Sequence, residues 1–329
     1  MNSDDFYTGD SEYDDDYHIQ KNRHKAQQKR NTKRAKQQTP QSIEEVADVS
    51  GLEGGFTTTY QPARFEGQWL RESLRAFYDQ HLISDILAQI KGGKEASVYR
   101  CAANPATGFS LLAAKVYRPK MFRNLRNDAM YQQGREVLTP DGRPVKKTDH
   151  RLMRALGKRT SFGDQVKHTS WLMHEYTTLE RLYQAGAAVP QPFATSENAI
   201  LMSYHGDEFA AAPTLQEVRL DPDEAEPLFH ETLRNIELML QHQMIHGDLS
   251  AYNILYWEGQ LTLIDFPQVV NSHTNRDAYA IFQRDVKRVH QYFAPYGIES
   301  DPVVLADDLW ERYVGFEEEA PLELAELDE

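Results

Sequence analysis

The chain has 329 residues, with 36 Lys plus Arg against 50 Asp plus Glu and a formal net charge of −14. Hydrophobic residues at 40% and aromatics at 11% exclude a wholly disordered chain, and no stretch approaches the about 18 uninterrupted apolar residues of a membrane helix. The single cysteine, Cys101, excludes an intramolecular disulfide and fits a reducing cytoplasm, while Met1-Asn2-Ser3-Asp4-Asp5 lacks the basic and apolar regions of a secretory signal.

The charge is segregated. Residues 118–167 hold 13 basic and 5 acidic groups, whereas the last 13 residues, 317–329, hold 7 acidic groups and no basic one. Residues 1–60 read as a tail, with an acidic block up to Asp16 and a basic block from Lys21 to Lys36. Without apolar periodicity, such a stretch cannot offset its ordering entropy. It is a solvated polyampholyte or a basic arm for RNA or another polyanion.

Order is expected from about Gln68. Trp69, Leu70, Leu74, Phe77, Tyr78, Leu82 and Ile86 recur at helical spacing. Ile90 to Cys101 reads as strand, tight turn, strand, and Leu111–Tyr117 as a buried third strand. The basic stretch 118–167 has weak periodicity and many turn formers, including Pro140-Asp141-Gly142-Arg143-Pro144, and is expected to be a flexible insert. Trp171 to Tyr183 marks a helix ending near Gly186, and Ala199–Tyr204 a strand. A helix from Pro227 to Met244 follows, then a hairpin about Glu258-Gly259, a helix from Asp277 to Phe293, and a last helix opened by Asp301-Pro302 and running to Phe316. Strands with one helix, then mostly helices, predict an α+β fold of two lobes.

The strongest chemical pattern is Ile245-His-Gly-Asp-Leu-Ser-Ala-Tyr-Asn253 with Asp265 twelve residues beyond. Asp248 and Asn253 on one loop, and Asp265 at the end of an apolar strand, can face a common point. Phosphoryl transfer needs such a set: one carboxylate to orient the attacking hydroxyl and two oxygen ligands for Mg²⁺. Taken singly these are ordinary turn residues; the full spacing favours chemistry. His246 reads as an organiser of the loop backbone rather than a proton shuttle. Lys115, in mid-strand, needs an anion to offset burial of its ammonium, and Glu175 on the next helix is the candidate, beside ATP phosphates. Gly92-Gly93-Lys94-Glu95-Ala96-Ser97 suits either a hairpin turn or a phosphate loop, and matches neither the Walker A pattern nor Gly-x-Gly-x-x-Gly.

Together these segments resemble the RIO family of atypical serine/threonine protein kinases. Gly92 to Tyr99 resembles its nucleotide loop, His246 to Leu255 its catalytic loop, and Ile264-Asp-Phe-Pro-Gln268 its metal loop, with Arg284-Asp285-Val286 similar to its C-terminal pattern. The resemblance runs from about Trp69 to Phe316. It implies a two-lobed, protein-kinase-like fold of compact type, lacking an activation segment and peptide-binding helices. The implied boundaries are an N-terminal helix and N-lobe over 61–204 and a C-lobe over 205–316. ATP and Mg²⁺ are the implied cofactors, and a protein the substrate. Asp248 is the implied catalytic base, Asn253 and Asp265 the metal ligands, and Asp265 also a phosphate acceptor. Lys115 with Glu175 grips phosphates; Gly93, Lys94 and Ser97 belong to the nucleotide loop; Ser203 C=O and His205 N–H, in a hinge over 202–205, read adenine. RIO proteins are associated with small ribosomal subunit maturation, so the subunit or its rRNA is an implied partner through 21–36 and 118–167. Two other readings stand beside this one. A small-molecule phosphotransferase of aminoglycoside or choline type shares His-Gly-Asp-Leu and Ile-Asp-Phe, and an ATP-dependent, non-catalytic RNA-binding switch shares the basic segments.

Overall fold

The computed structural model describes residues 58–93, 95–118, 133, 135–146, 148–157 and 161–315. The charged blocks before residue 58, Lys94, Phe316 and the acidic segment 317–329 lie outside them. Leu70, Leu74 and Phe77 occur at three- and four-residue spacing and are fully buried on helix α1 (Arg64–Asp79). The apolar series was expected to continue the helix to Ile86. Instead the chain turns at His81, with φ +55°, and Ile86 enters strand β1 (Ile83–Gly92). Strand β2 (Ala96–Ala103) follows across the Gly93 turn, then strand β3 (Leu111–Tyr117).

Period two on β3 places the site. Leu112, Ala114 and Val116 join α1 in one apolar cluster, while Ala113 and Tyr117 join a second, larger one on the opposite face. Lys115 lies between Ala113 and Tyr117 in that alternation, so it faces the C-terminal half. Helix α2 (His150–Gly157) and helix α3 (Ser161–Gln184) come next. They occupy residues 150–157 and 161–167 of the stretch expected to be a flexible insert, and α3 begins ten residues before Trp171. Gly157 and Gly163 read as breakers, but a glycine within a helix costs only about 1 kcal/mol, and the face bearing Trp171 packs edge-on against Tyr117 at 4.7 Å. The Pro140–Pro144 segment forms the expected turn: Thr139 N–H donates to Arg143 O, and Gly142 sits at φ +75°.

Strands β4 (Pro192–Thr195) and β5 (Ala199–Ser203) complete an antiparallel sheet of order β1-β2-β3-β5-β4. Helix α4 (Pro222–Gln241) starts a turn earlier than expected and carries Pro227 as its sixth residue, where the ring forgoes the hydrogen bond an amide would make to Asp223 O. Met244, expected on this helix, instead lies in the short strand β6 (Met244–Ile245). The hairpin is strands β7 (Ile254–Trp257) and β8 (Gln260–Leu263), turning at Glu258 with φ +49°. Strand β9 (Val270–Asn271) pairs with β6. Helix α5 (Ala278–Phe293) follows the 266–277 segment directly, and helix α6 (Pro302–Tyr313) is capped by the Asp301 carboxylate, which accepts from Val303 N–H and Val304 N–H. None of the described helices is long and apolar enough to cross a membrane.

Candidate active site

Period two puts the Lys115 ammonium among carboxylates from two other elements. Nζ lies 2.6 Å from Glu175 Oε1 on α3 and 2.5 Å from Asp265 Oδ1 after β8. The Tyr117 hydroxyl donates to the second Glu175 oxygen, and its ring lies 5.4 Å from the ammonium. Burial pushes the Lys115 ammonium towards neutrality, but the opposing carboxylates, Asp265 foremost, outweigh it and hold the pKa well above the usual lysine value. Burial likewise favours neutral Asp265, and Lys115 overcomes it to bring this carboxyl below its ordinary range. Asp265 has φ +71°, a left-handed conformation that a short polar side chain tolerates best. Its side chain is 45% exposed, against 1% for Glu175.

The loop after β6 is built on backbone contacts. His246 is buried, and its Nε2 faces Ile264 O at 3.1 Å. Burial lowers its pKa, leaving a neutral ring whose Nδ1 accepts from Asp248 N–H at 3.3 Å. It is a loop organiser, in line with the sequence reading. Gly247 has φ +83°, and a Cβ there would lie 2.2 Å from Gln268 O, so the residue before Asp248 has no room for a side chain. Asp285 Oδ2 accepts from Gly247 N–H at 2.8 Å, and Arg284 donates to Gly247 O. Asn253 Nδ2 donates to Asp248 O at 2.8 Å, which leaves the amide oxygen as the atom presented to a cation. The sequence offered no basic partner for Asp248; one arrives from α5, where Arg288 Nη1 lies 2.7 Å from its Oδ1.

A cavity of about 950 Å³ opens between the sheet and the C-terminal half. Lys115, Glu175, Asp265 and Asn253 line it, as do Gly93, Ser203 and His205. Ser97 does not: it is 1% exposed and accepts from Arg118 Nη2 at 3.4 Å, because alternation on β2 turns it away from the space that Ala96 and Val98 line. Lys94 lies outside the described residues. Gly93 earns its place through the turn, since a Cβ would stand 2.7 Å from Ala96 O, the acceptor of its own N–H. Asp248 opens on a second cavity of about 1320 Å³, with Arg288, Arg219 and Tyr252, and Asn253 borders both.

Two oxygen donors, the Asn253 amide and the Asp265 carboxylate, fit a hard cation such as Mg²⁺, which keeps several waters and leans on substrate phosphates. Among the described residues no group of three or more His, Cys, Asp or Glu could hold a metal by itself. Arg288 and Tyr117 were given no role by sequence reasoning, and Arg284 and Asp285 entered it only as part of the family's C-terminal pattern. The i, i+4 spacing of Arg284 and Arg288 was the available signal for a basic face on α5.

A lysine held by a helix glutamate, with Asn253 and Asp265 across the same cleft and Asp248 on the adjoining cavity, is the arrangement of a kinase-type phosphotransferase site. The RIO domain family matches residues 141–304. The chain is 29% identical over 233 residues to the RIO-type serine/threonine-protein kinase Rio1 of Haloferax volcanii, covering 70% of this chain and 69% of that protein. It is 32% identical over 132 residues to the RIO-type serine/threonine-protein kinase Rio1 of Thermoplasma acidophilum, covering 40% and 68%. Against the serine/threonine-protein kinase RIO1 of Chaetomium thermophilum it is 28% identical and spans only 42% of that longer protein. The Rio2 kinase of C. thermophilum, solved as an ADP/Mg²⁺-phosphoaspartate complex, shares the fold at a TM-score of 0.53 and 20% identity, covering 78% of this chain and 71% of that one. The chain belongs to the RIO family and is a RIO-type serine/threonine protein kinase.

Proposed function

We propose that the cleft transfers the γ-phosphoryl group of ATP with Asp248 as catalytic base, Asn253 and Asp265 as Mg²⁺ ligands, and Lys115, paired with Glu175, on the phosphates. Residues 61–204 are then the N-lobe with its leading helix, 205–316 the C-lobe, and 1–60 and 317–329 tails. The carrying observation is the Lys115 ammonium suspended between Glu175 and Asp265, at 2.6 and 2.5 Å. A charged group this buried has its role set by anions, and a phosphate can take the place of the more exposed Asp265. Mg²⁺ would supply charge neutralisation on the phosphates. Gly93 lies at the phosphate end, and the Ser203 carbonyl and His205 amide take the adenine edge. Support for these two is their place on the cavity wall.

Asp265 also serves as phosphate acceptor in this reading. Its carboxylate oxygen forms a bond to the γ-phosphorus, ADP leaves, and water later cleaves the acyl phosphate. The phosphoaspartate in the Chaetomium Rio2 complex supports this route. A small-molecule acceptor loses ground because the named relatives are protein kinases. The protein acts in the cytoplasm, at a polyanionic surface such as rRNA of the small ribosomal subunit; the excess of basic over acidic groups in 118–167 supports this partner.

The test is incubation with γ-labelled ATP, followed by sorting of acid-stable and acid-labile label. Label on Ser or Thr supports transfer to protein, and hydroxylamine-sensitive label at Asp265 supports the acceptor role. Asp248→Ala should lower turnover by about 10²–10⁴-fold. Full turnover in Asp248→Ala, or in Asp265→Ala, overturns the assignment of roles.

A further inference from the structure

The basic stretch between β3 and α3 was expected to be a flexible insert, yet four of its residues join the two elements that grip Lys115. Arg135 donates from Nη2 to Pro267 O at 2.8 Å and to Val269 O at 2.6 Å, and from Nε to Val269 O at 3.1 Å. These carbonyls belong to the loop that follows Asp265 directly. One residue on, Glu136 O lies 2.6 Å from His174 Nε2, next to Glu175 on α3. Leu138 N–H donates to Ser170 Oγ at 2.9 Å, also on α3. The turn beyond continues the contact, since a Cβ on Gly142 would meet Thr177 Cγ2 at 3.2 Å.

We propose that residues 135–138 are a clip that sets the separation of Glu175 and Asp265 about the Lys115 ammonium, and that Arg135 is its positioning residue. One end is fixed to the helix carrying Glu175 and the other to the loop carrying Asp265. A guanidinium suits the task because its planar donors can span two carbonyls at once, which a lysine ammonium on a flexible stem does less well. The metal loop is short, and Gly247 packs so closely on Gln268 O that the loop's other side has little freedom. The clip closes the side that faces α3. Residues 135–138 precede the 141–304 span of the family match.

This inference takes Asp265 as the reactive aspartate of the reading above, and the test separates the two. Full-length Arg135→Ala, Arg135→Lys and Arg143→Ala are compared with the parent for kcat, KM for ATP, melting temperature, and response to added methylguanidine. Asp265→Asn is assayed in parallel. Arg143 is the control for loss of charge in the same segment, since its side chain is 84% exposed and pairs only with Asp141 among the described ion pairs. Misplacement of a catalytic group by about 1 Å can cost on the order of 100-fold, so a kcat loss of at least about tenfold is expected in Arg135→Ala, with KM for ATP changed less than about twofold. Methylguanidine should restore part of that loss, Arg135→Lys should fall between parent and Ala, and Arg143→Ala should match the parent. Parental kcat in Arg135→Ala, or a loss that methylguanidine leaves untouched, overturns the clip. If the Ala variant does not fold, the Lys variant decides: parental kcat there overturns the clip, and a lowered kcat at parental melting temperature upholds it. An active Asp265→Asn would overturn the site reading, whereas an inactive one beside a fully active Arg135→Ala would overturn the clip alone.

Discussion

Gly247 shows how closely backbone and chemistry are joined in this site. It precedes Asp248, accepts from Arg284 through its carbonyl, donates to Asp285 through its amide, and abuts Gln268 O. A methyl group here meets two obstacles: a left-handed φ of +83° and a backbone oxygen at 2.2 Å. Neither is relieved by a rotamer change, because the opposing atom is backbone of the loop that follows Asp265. Gly247→Ala should therefore lower stability by about 1–3 kcal/mol or more and displace Asp248 and Asp265 together. Equilibrium denaturation with a parallel turnover assay checks this, and a variant with parental stability and turnover would show that the loops separate freely. The same glycine explains why an arginine, common at this position in other kinases, is absent: no side chain fits.

At the scale of elements, α1 is the clearest case of a helix held by tertiary packing. It has one buried face, with Leu70, Leu74 and Phe77 at 0% exposure, and it covers the sheet face opposite Lys115. Leu74→Ala should cost about 2–5 kcal/mol, the usual range for a leucine removed from a packed core. It should leave KM for ATP unchanged wherever the protein is folded, because the residue lies on the far side of β3. Urea unfolding gives the first quantity and steady-state kinetics the second; a changed KM in the folded variant would mean that the sheet transmits strain. The helix was legible in its spacing. Its end was not, because Leu82 and Ile86 continue the apolar run into a strand that buries the same face of the chain, and periodicity alone cannot place a turn that His81 makes at positive φ.

For the molecule as a whole, one buried acid contributes a pH response of its own. Burial lifts Asp285 from 3.8 to about 7, against the lowering effect of Arg284. Its folded pKa lies above its unfolded one, so between about pH 4 and pH 7 the folded state holds a proton that the unfolded chain has released. Stability from this group is therefore present at low pH and is lost as pH rises through about 7. Asp285→Asn removes that slope, and the difference in melting temperature, variant minus parent, should become more positive across this window. Parallel melting curves from pH 4 to 8 test it; a constant difference would show Asp285 charged throughout. The net charge of −14 cannot report such an effect, since it averages a basic connection with acidic lobes and ends.

Chemical identity was written in the chain itself. His246 to Asn253, Asp265 and Lys115 are readable because their types and spacings are rare outside phosphoryl-transfer sites, and the α+β order follows from periodicities of 2 and 3.6. What required the tertiary structure were the contacts made across long separations. Arg288 meets Asp248 over 40 residues, Tyr117 meets Glu175 over 58, and Arg135 meets Val269 over 134. Spacing holds no record of such pairs, because each depends on how helices and loops pack rather than on local pattern. Ser97 shows the same limit in reverse: its place in the motif suggested the nucleotide, but alternation along β2 turned it into the protein. Sequence thus nominated the groups proposed for the chemistry, and packing decided which groups hold them in place.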